Sequence, residues 1–222
     1  MSKHKTALVF GGTGLVGQKL VDLLAEDERY TTVRVANRRT KNYTNAKIEE
    51  VLVDFESLDK CAGFFKVDDV FICLGTTIKK AGSNPAFEKV DLEYPTQISK
   101  LAKQHGVGQL VHISAIGANA NSSNFYTQTK GRAEVSIWES GPEKSYAVRP
   151  SMLFGDRKEF RLVEKIGIFF MKTFQFLMIG AVEKYRGIYD EEVAQAMIFI
   201  ANSCPKQKAF DSYELKAIAT NF

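Results

Sequence analysis

The sequence predicts an α/β protein: a Rossmann-type, doubly wound parallel sheet with a small C-terminal lobe. Apolar segments of strand length alternate with segments of helical periodicity over the first 150 residues, which is typical of a parallel sheet with helices on both faces. A glycine-rich turn joins the first strand segment to the first helical one. The segment at 68–75 is nearly all apolar, as expected for a central strand that is covered on both faces.

Six strands and three helices are predicted in this part of the chain. The strands lie at 6–10, 31–37, 47–55, 68–75, 108–115 and 145–150, and the helices at 15–26, at 85–106 and from Tyr126 to about Glu139. The first helix has apolar residues at spacings of three and four. Pro95 is expected to kink the second helix, Gly106 to cap it, and Pro150 to end the last strand.

The remaining residues break the alternation. We expect one domain over residues 1–222, in which residues 151–222 contribute a small lobe over the C-terminal edge of the sheet. This part holds an amphipathic, Phe-rich segment at 160–178, a helix at 190–202 and a segment at 213–219 that fits a strand or a helix. The phenylalanines of the first segment, Phe169, Phe170, Phe174 and Phe176, favour a lobe core or an oligomer contact over a membrane anchor.

The composition is that of a soluble globular protein and excludes several other classes. Hydrophobic residues make up 45% and charged residues 25% of the 222 residues, which is enough for a full core. The net charge of +4 is too small to indicate nucleic acid as the main partner. The three cysteines, Cys61, Cys73 and Cys204, are odd in number and far apart, so we expect neither a disulfide framework nor a metal site.

Neither a secretory signal nor a stable membrane insertion is expected. The apolar run after the basic N-terminal residues is five residues long, whereas a signal peptide needs about 7–15. The most apolar later stretch, at 167–180, is interrupted by Lys172 and Gln175 and is shorter than the roughly 20 residues of a membrane span. Together with the sparse cysteines, this predicts a cytoplasmic protein.

The glycine-rich turn, GGTGLVG at 11–17, satisfies G-x-G-x-x-G from Gly12 and G-x-x-G-x-x-G from Gly11. Gly12 and Gly14 would let the backbone approach a pyrophosphate, and Gly17 would let the helix pack closely. The N-terminus of the following helix supplies free N–H groups and a partial positive charge. The turn therefore predicts a dinucleotide site; the alternative is a tight strand–helix turn without a ligand.

The residues after the second strand predict which nucleotide binds. A site that prefers NAD usually has a carboxylate about 20 residues after the turn, but Asn37 stands there, followed by Arg38 and Arg39. Guanidinium groups favour a 2′-phosphate, so NADPH is the expected cofactor. The alternative is that one of these arginines stacks on the adenine.

Two further strand ends are candidate parts of this site. Asp54 ends the third strand and could accept a hydrogen bond from the adenine amino group; the alternative is an N-cap for a helix at 56–62. The turn CLGTT at 73–77 contains Gly75 and Thr76 and follows the fourth strand. The chain could pass close to a ribose or to the nicotinamide there.

With these motifs aligned, the chain resembles the atypical short-chain dehydrogenases/reductases, and among them the family named for the Tat-interactive oxidoreductase. The matching segments are GGTGLVG, NRR, VDFESL, FICLGTT, KAGS, SSNFYTQTKGRAE and YAVRPSMLFGDR. The resemblance implies a Rossmann fold that binds NADPH. It implies cofactor contacts at Thr13, Gly14, Leu15, Val16, Arg38, Arg39, Leu74, Gly75, Tyr126, Lys130, Leu153 and Arg161.

Tyr126 and Lys130 are four residues apart on a predicted helix and so lie on one face. A surface helix could carry this pair without a function. In the superfamily that the chain resembles, such a tyrosine gives its proton to a carbonyl as hydride arrives, or takes it in the reverse direction. The positive charges of the lysine and the nicotinamide favour the ionised phenol, and the lysine also bonds the nicotinamide ribose.

A serine after the fifth strand usually completes such a site. Ser114 is available, but Ala115 stands where many relatives have a second serine, so the role of Ser114 in polarising the substrate carbonyl stays open. Other hydroxyl groups that could substitute are those of Thr77, Ser122 and Ser123.

The sequence therefore predicts an NADPH-dependent oxidoreductase acting on a small carbonyl/alcohol substrate, with Tyr126 as acid/base. The alternative, since some members of the resembled family are described as regulators, is an NADPH-binding redox sensor that acts through protein partners. A homodimer or a regulatory protein partner is compatible with either reading. His105 and His112 are expected to be structural.

Overall fold

The protein contains one large parallel sheet, which confirms the predicted fold class. The computed structural model describes residues 4–155 and 187–222. The strands of the sheet are β1 (Lys5–Phe10), β2 (Tyr30–Asn37), β3 (Ile48–Leu52), β4 (Asp69–Ile72), β5 (Gln109–Ile113), β6 (Lys144–Arg149) and β9 (Ala209–Asp211). Their spatial order is β3-β2-β1-β4-β5-β6-β9, and every neighbouring pair is parallel. A separate parallel pair joins β7 (Leu153–Phe154) to β8 (Ile188–Tyr189).

The helices follow the predicted order, with additions. They are α1 (Leu15–Glu26), α2 (Ile78–Ala81), α3 (Asn84–Glu88), α4 (Tyr94–Gln104), α5 (Phe125–Ser140), α6 (Asp190–Ser203) and α7 (Ser212–Ala219), with a 3-10 helix at Leu58–Phe65. The single helix expected at 85–106 is divided into α3 and α4 by a π-helical turn, Lys89–Glu93. Pro95 lies in the first turn of α4 and has no N–H to donate to the turn before it, which explains the change of helical hydrogen bonding there.

The two faces of the sheet carry two hydrophobic clusters, because side chains alternate along each strand. On β1, Ala7 and Val9 belong to the cluster that contains the apolar faces of α1 and α6. Leu8 and Phe10 belong to the other cluster, which contains Ile98 of α4 and residues of α5 and the 3-10 helix. The central strands are therefore buried on both sides, as the apolar segment at 68–75 predicts.

The C-terminal segments extend this layered structure. The ambiguous segment at 213–219 is a helix, α7, and the backbone N–H of Asp211 donates to Glu214 at its start. The three-residue strand β9 precedes it and pairs with β6. The Phe-rich segment at 160–178 lies outside the described residues, so the division at residue 151 stays a prediction. Among residues 4–155 and 187–222, no helix combines the length and the apolar character needed to cross a membrane.

The strand order places two loops side by side at the carboxyl edge of the sheet. The chain leaves β1 towards β2 on one side, whereas β4 continues towards β5 on the other side. Ligands of doubly wound sheets bind in the crevice at such a reversal of strand order. The turn after β1, at 11–17, and the turn after β4, at 73–77, therefore frame the candidate site.

Candidate functional site

The glycine-rich turn is compact and leaves the N-terminus of α1 open. Gly11 has φ +82°, and a Cβ there would lie 2.6 Å from the carbonyl oxygen of Cys73 after β4. A Cβ on Gly17 would collide with the carbonyl oxygen of Gly11, so α1 begins directly against the turn. Gly14 is the N-cap, without a side-chain hydrogen bond, and Thr13 and Gly14 are both exposed. The free N–H groups of this exposed helix start fit the phosphates of a dinucleotide, and a Cβ at Gly14 would lie 3.3 Å from the carbonyl oxygen of Gly11.

The loop after β2 contains a carboxylate that the sequence analysis missed. Asn37 ends β2, and its amide nitrogen donates to Oε1 of Glu50 at 2.7 Å. Glu50 comes from the neighbouring strand β3, so a carboxylate lies beside this position although none follows the turn at the usual spacing. Spacing along the chain could not reveal it because the contact is made between strands. Arg38 and Arg39 are exposed and form no hydrogen bond or ion pair with any residue that the structure describes.

Asp54 lies in a turn and not at a helix N-cap. Its Oδ1 accepts from the backbone N–H of Glu56 at 3.0 Å. The next helix is the 3-10 helix, which begins at Leu58 and has Ser57 at its N-cap. The alternative of an N-cap for a helix at 56–62 is therefore wrong. The side chain of Asp54 instead closes a turn with the backbone N–H two residues later. Asp54 remains exposed and its contact with an adenine stays a prediction.

Lys130 is held by a buried carboxylate that the sequence analysis also missed. Its Nζ lies 2.7 Å from Oδ1 of Asp91, and the two side chains are 6% and 0% exposed. Asp91 Oδ2 accepts from the backbone N–H of Thr76 at 2.9 Å. A Cβ on Gly75 would lie 3.8 Å from Lys130 Nζ. Asp91 thus joins the π-helical turn, the loop after β4 and α5 at one point.

A signal for Asp91 exists in the sequence. It is four residues after Phe87 and seven before Ile98, and both of these are fully buried. A carboxylate on the apolar face of a helix requires a partner, because burial of an unpaired charge is costly. The partner itself could not be read from the sequence, since Lys130 lies 39 residues further along the chain.

Tyr126 lies on α5, one helical turn from Lys130, as predicted. Its ring packs against the buried Phe87, with centroids 5.5 Å apart, and the residue is partly exposed. Glu134 lies one turn further along this face of α5. Both of its carboxylate oxygens accept hydrogen bonds from the Arg149 guanidinium, at 2.8 and 2.5 Å. Gly131 allows α5 to lie directly against the loop at 119–120, where a Cβ would meet backbone. These contacts fix α5 against the sheet and orient Tyr126.

His112 on β5 and Ser114 just after it are buried polar residues. Ser114 is 4% and His112 3% exposed. The Oγ of Ser114 and the Nε2 of His112 have no hydrogen-bond partner among the described residues. His112 Nδ1 lies 3.0 Å from the carbonyl oxygen of Tyr146, so Nδ1 carries the proton and donates. Burial, together with the positive charge of Lys130, lowers the pKa of His112 to about 3.

The buried His112 is expected to make stability depend on pH. Its pKa lies near the ordinary 6.5 in the unfolded chain and at about 3 in the folded protein. Between these values only the unfolded chain binds the proton, so the free energy of unfolding falls with decreasing pH, by about 1.4 kcal/mol per unit. Urea unfolding from about pH 6.5 to 5 should show a shallower decline in His112→Gln. His105→Gln, at an exposed helix end, should keep the wild-type slope. Identical slopes for wild type and His112→Gln would contradict this assignment.

The remaining predicted residues divide between described and undescribed parts. Leu15 and Val16 open α1, and Leu74 follows β4. Leu153 lies in β7 and packs against the cluster that contains α1 and α6. Arg161 lies outside the described residues. Within residues 4–155 and 187–222, no group of three or more His, Cys, Asp or Glu side chains is arranged to hold a metal ion.

The chain is similar to known proteins in sequence and in fold. The model of the NAD(P)H-binding family matches residues 11–166. The mitochondrial protein FMP52 of Meyerozyma guilliermondii is 33% identical over 203 residues, which cover 88% of this chain and 84% of the relative. HTATIP2 of Rattus norvegicus is 32% identical over 163 residues, covering 72% and 67%. The structure of MoeE5 in complex with UDP-glucose and NAD has a TM-score of 0.68 at 16% identity, covering 97% of this chain and 81% of that one.

These relatives overturn one expectation and establish another. FMP52 proteins of several yeasts, which match most of the chain, are named as mitochondrial, so the expected cytoplasmic location is wrong. Low cysteine content was a poor basis for it, because it does not distinguish one reducing compartment from another. The family match covers more than half of the chain and coincides with the glycine-rich turn, the strand reversal and α5. The chain therefore belongs to the NAD(P)H-binding family and, within it, to the atypical short-chain dehydrogenases/reductases that include HTATIP2 and FMP52.

Proposed function

We propose that the protein is an NADPH-dependent oxidoreductase that interconverts a small carbonyl compound and its alcohol, with Tyr126 as the acid/base. The observation that carries this proposal is the position of Lys130. Its ammonium group is buried beside Gly75, at the carboxyl end of β4, and it lies on the same face of α5 as Tyr126. A lysine held at the strand reversal, one turn from a partly exposed phenol, is suited to proton transfer beside a bound nicotinamide.

The residues around α1 would hold the coenzyme. The N–H groups at the start of α1 would bind the pyrophosphate, since Gly14 leaves them uncovered. Arg38 and Arg39 would bind the 2′-phosphate, because both are exposed and a guanidinium can donate two parallel hydrogen bonds to phosphate oxygens. Thr76 and Lys130 would bind the nicotinamide end. When bound, NADPH supplies the hydride.

The chain's own residues supply the proton. In the reducing direction, the Tyr126 hydroxyl donates its proton to the carbonyl oxygen as the carbonyl carbon accepts the hydride, which leaves an alcohol and a phenolate. Lys130 favours that phenolate, although Asp91 balances part of its charge at 2.7 Å. The electrostatic effect of Lys130 is therefore smaller than that of an unpaired ammonium. In the oxidising direction the phenolate takes the proton back from the alcohol.

The second candidate function is an NADPH-binding redox sensor that acts through a protein partner. The burial of Ser114 favours it, because a hydroxyl 4% exposed is poorly placed to polarise a substrate and Ala115 offers no hydroxyl. A panel of aldehydes and ketones, with NADPH oxidation followed optically, separates the two functions. Turnover of at least one compound supports the enzyme. No turnover, with NADPH-dependent binding to a protein partner, would replace the enzyme with the sensor.

The arginines give a direct test of coenzyme preference. Arg38→Asp places a carboxylate that can accept a hydrogen bond from a ribose 2′-hydroxyl and would repel a 2′-phosphate. We expect its dissociation constant for NADPH to rise by about tenfold or more, the typical loss of a charge-assisted hydrogen bond, and its preference to shift towards NADH. Calorimetric titration with both coenzymes measures this ratio. Tighter binding of NADH than of NADPH by the wild type would contradict the NADPH assignment.

A further inference from the structure

Glu50 accepts hydrogen bonds from the loop between β2 and β3, which contains Arg38 and Arg39. Its Oε1 accepts from the side-chain amide of Asn37 and from the backbone N–H of Lys41, each at 2.7 Å. The backbone N–H of Asn42 donates to the same carboxylate, and Asn42 has φ +58°. One side chain of β3 thus binds the last residue of β2 and two successive amides of the loop. The hydrogen bond from Asn37 is the main cause that lowers the pKa of Glu50 below its ordinary value.

The same loop, between β2 and β3, contacts the glycine-rich turn through Tyr43. The hydroxyl of Tyr43 lies 3.4 Å from the Asn37 amide nitrogen and 3.5 Å from the position of a Cβ on Gly12. The Lys41 ammonium lies 4.9 Å from the centre of the Tyr43 ring. Lys41 and Tyr43 are therefore engaged within the loop. Arg38 and Arg39 lie between its anchored ends, with side chains that bond no described residue.

We propose that Glu50 is a positioning residue that sets coenzyme preference by holding this loop so that Arg38 and Arg39 meet the 2′-phosphate. The inference rests on the proposed preference for NADPH. A flexible loop would have to be ordered when the phosphate binds, and an ordered one avoids that entropic cost. Glu50 acts through hydrogen bonds to the loop, so its acceptor oxygen matters more than its charge. NADH lacks the 2′-phosphate, so its dissociation constant should not depend on how the loop is held.

The test compares Glu50→Ala, Glu50→Gln and the matched control Glu49→Ala. Glu49 is the neighbouring residue of β3, is exposed, and pairs with Arg34 at 2.9 Å and not with the loop. We expect Glu50→Ala to weaken NADPH binding about tenfold and NADH binding less than about twofold. Glu50→Gln, which keeps an acceptor oxygen, and Glu49→Ala should stay within about threefold of the wild type for both coenzymes. Calorimetry gives the dissociation constants, and thermal unfolding reports whether each variant is folded.

A second measurement is independent of any coenzyme. Hydrogen exchange at the amides of Lys41 and Asn42 in the free protein should accelerate in Glu50→Ala and remain near the wild-type rate in Glu49→Ala. Unchanged exchange and unchanged NADPH affinity in Glu50→Ala would overturn the proposal. A gain in NADPH affinity in both Glu50 variants would also overturn it, because it would mean that repulsion between the Glu50 carboxylate and the 2′-phosphate outweighs the positioning of the loop. Tighter binding of NADH than of NADPH by the wild type would instead contradict the proposed coenzyme preference. This result needs only the wild-type dissociation constants, so it is distinguishable from a failure of the Glu50 proposal.

Discussion

Tyr126→Phe is expected to lower the turnover number by about 10²–10⁴-fold, the usual contribution of a positioned general acid or base. The substitution removes only the hydroxyl oxygen, and the ring can keep its contact with Phe87, 5.5 Å between centroids. The fold and the coenzyme site should therefore persist, with a dissociation constant for NADPH within about threefold of the wild type. Steady-state rates on a substrate identified in the carbonyl panel, together with calorimetry, measure both quantities.

The control for this experiment is Tyr213→Phe. Tyr213 is 50% exposed and lies on α7, which follows the edge strand β9 and not the strand reversal, so removal of its hydroxyl should leave turnover unchanged. A Tyr126→Phe protein that binds NADPH and turns over at the wild-type rate would remove Tyr126 from the mechanism. If both turnover and NADPH affinity were lost, the residue would be assigned to coenzyme binding instead.

Asp91→Ala is expected to be the most destabilising of the substitutions considered, by about 3–5 kcal/mol, because it leaves a buried ammonium without a partner. The pair is almost fully shielded, with side chains 6% and 0% exposed at a separation of 2.7 Å. The backbone N–H of Thr76 would also lose its acceptor. Urea unfolding monitored by circular dichroism measures the difference in the free energy of unfolding.

Two further variants separate the ion pair from other effects at this position. Asp91→Ala combined with Lys130→Met removes both charges, so its loss should be smaller than the sum of the two single losses by at least about 1 kcal/mol. Glu88→Ala breaks the Arg132–Glu88 pair, whose side chains are 48% and 27% exposed, and should cost less than about 1 kcal/mol. Additive losses at Asp91 and Lys130 would show that the two charges are not coupled.

Local patterns accounted for most of the fold. The periodicity of residues 15–26 matches the bounds of α1, and the strand segments lie within a few residues of β1 to β6. These elements are dictated by nearby residues, because apolar spacing selects helix or strand before any long-range contact forms. Departures occur where a single residue changes the backbone, as at Pro95, or where a strand is too short to have a period, as at β9.

The residues of the candidate site also fall into two groups, those that local sequence motifs reveal and those that only the folded structure reveals. The glycines, the arginine pair and the Tyr126–Lys130 spacing are short motifs, so they could be read without coordinates. Asp91 and Glu50 could not be assigned, because each acts on residues that another strand or helix brings to it. His112 illustrates the same limit, since its lowered pKa follows from its burial and from the neighbouring Lys130.

The amino-acid sequence by itself thus determined the layered α/β architecture, the position of the dinucleotide turn and the helix face that bears the phenol and the ammonium. The tertiary structure alone decided which carboxylates lie beside the ammonium and the arginine loop. The physical reason is that backbone preferences and apolar periodicity are local, whereas ion pairs and cross-strand hydrogen bonds join residues that are distant along the chain and adjacent only after folding.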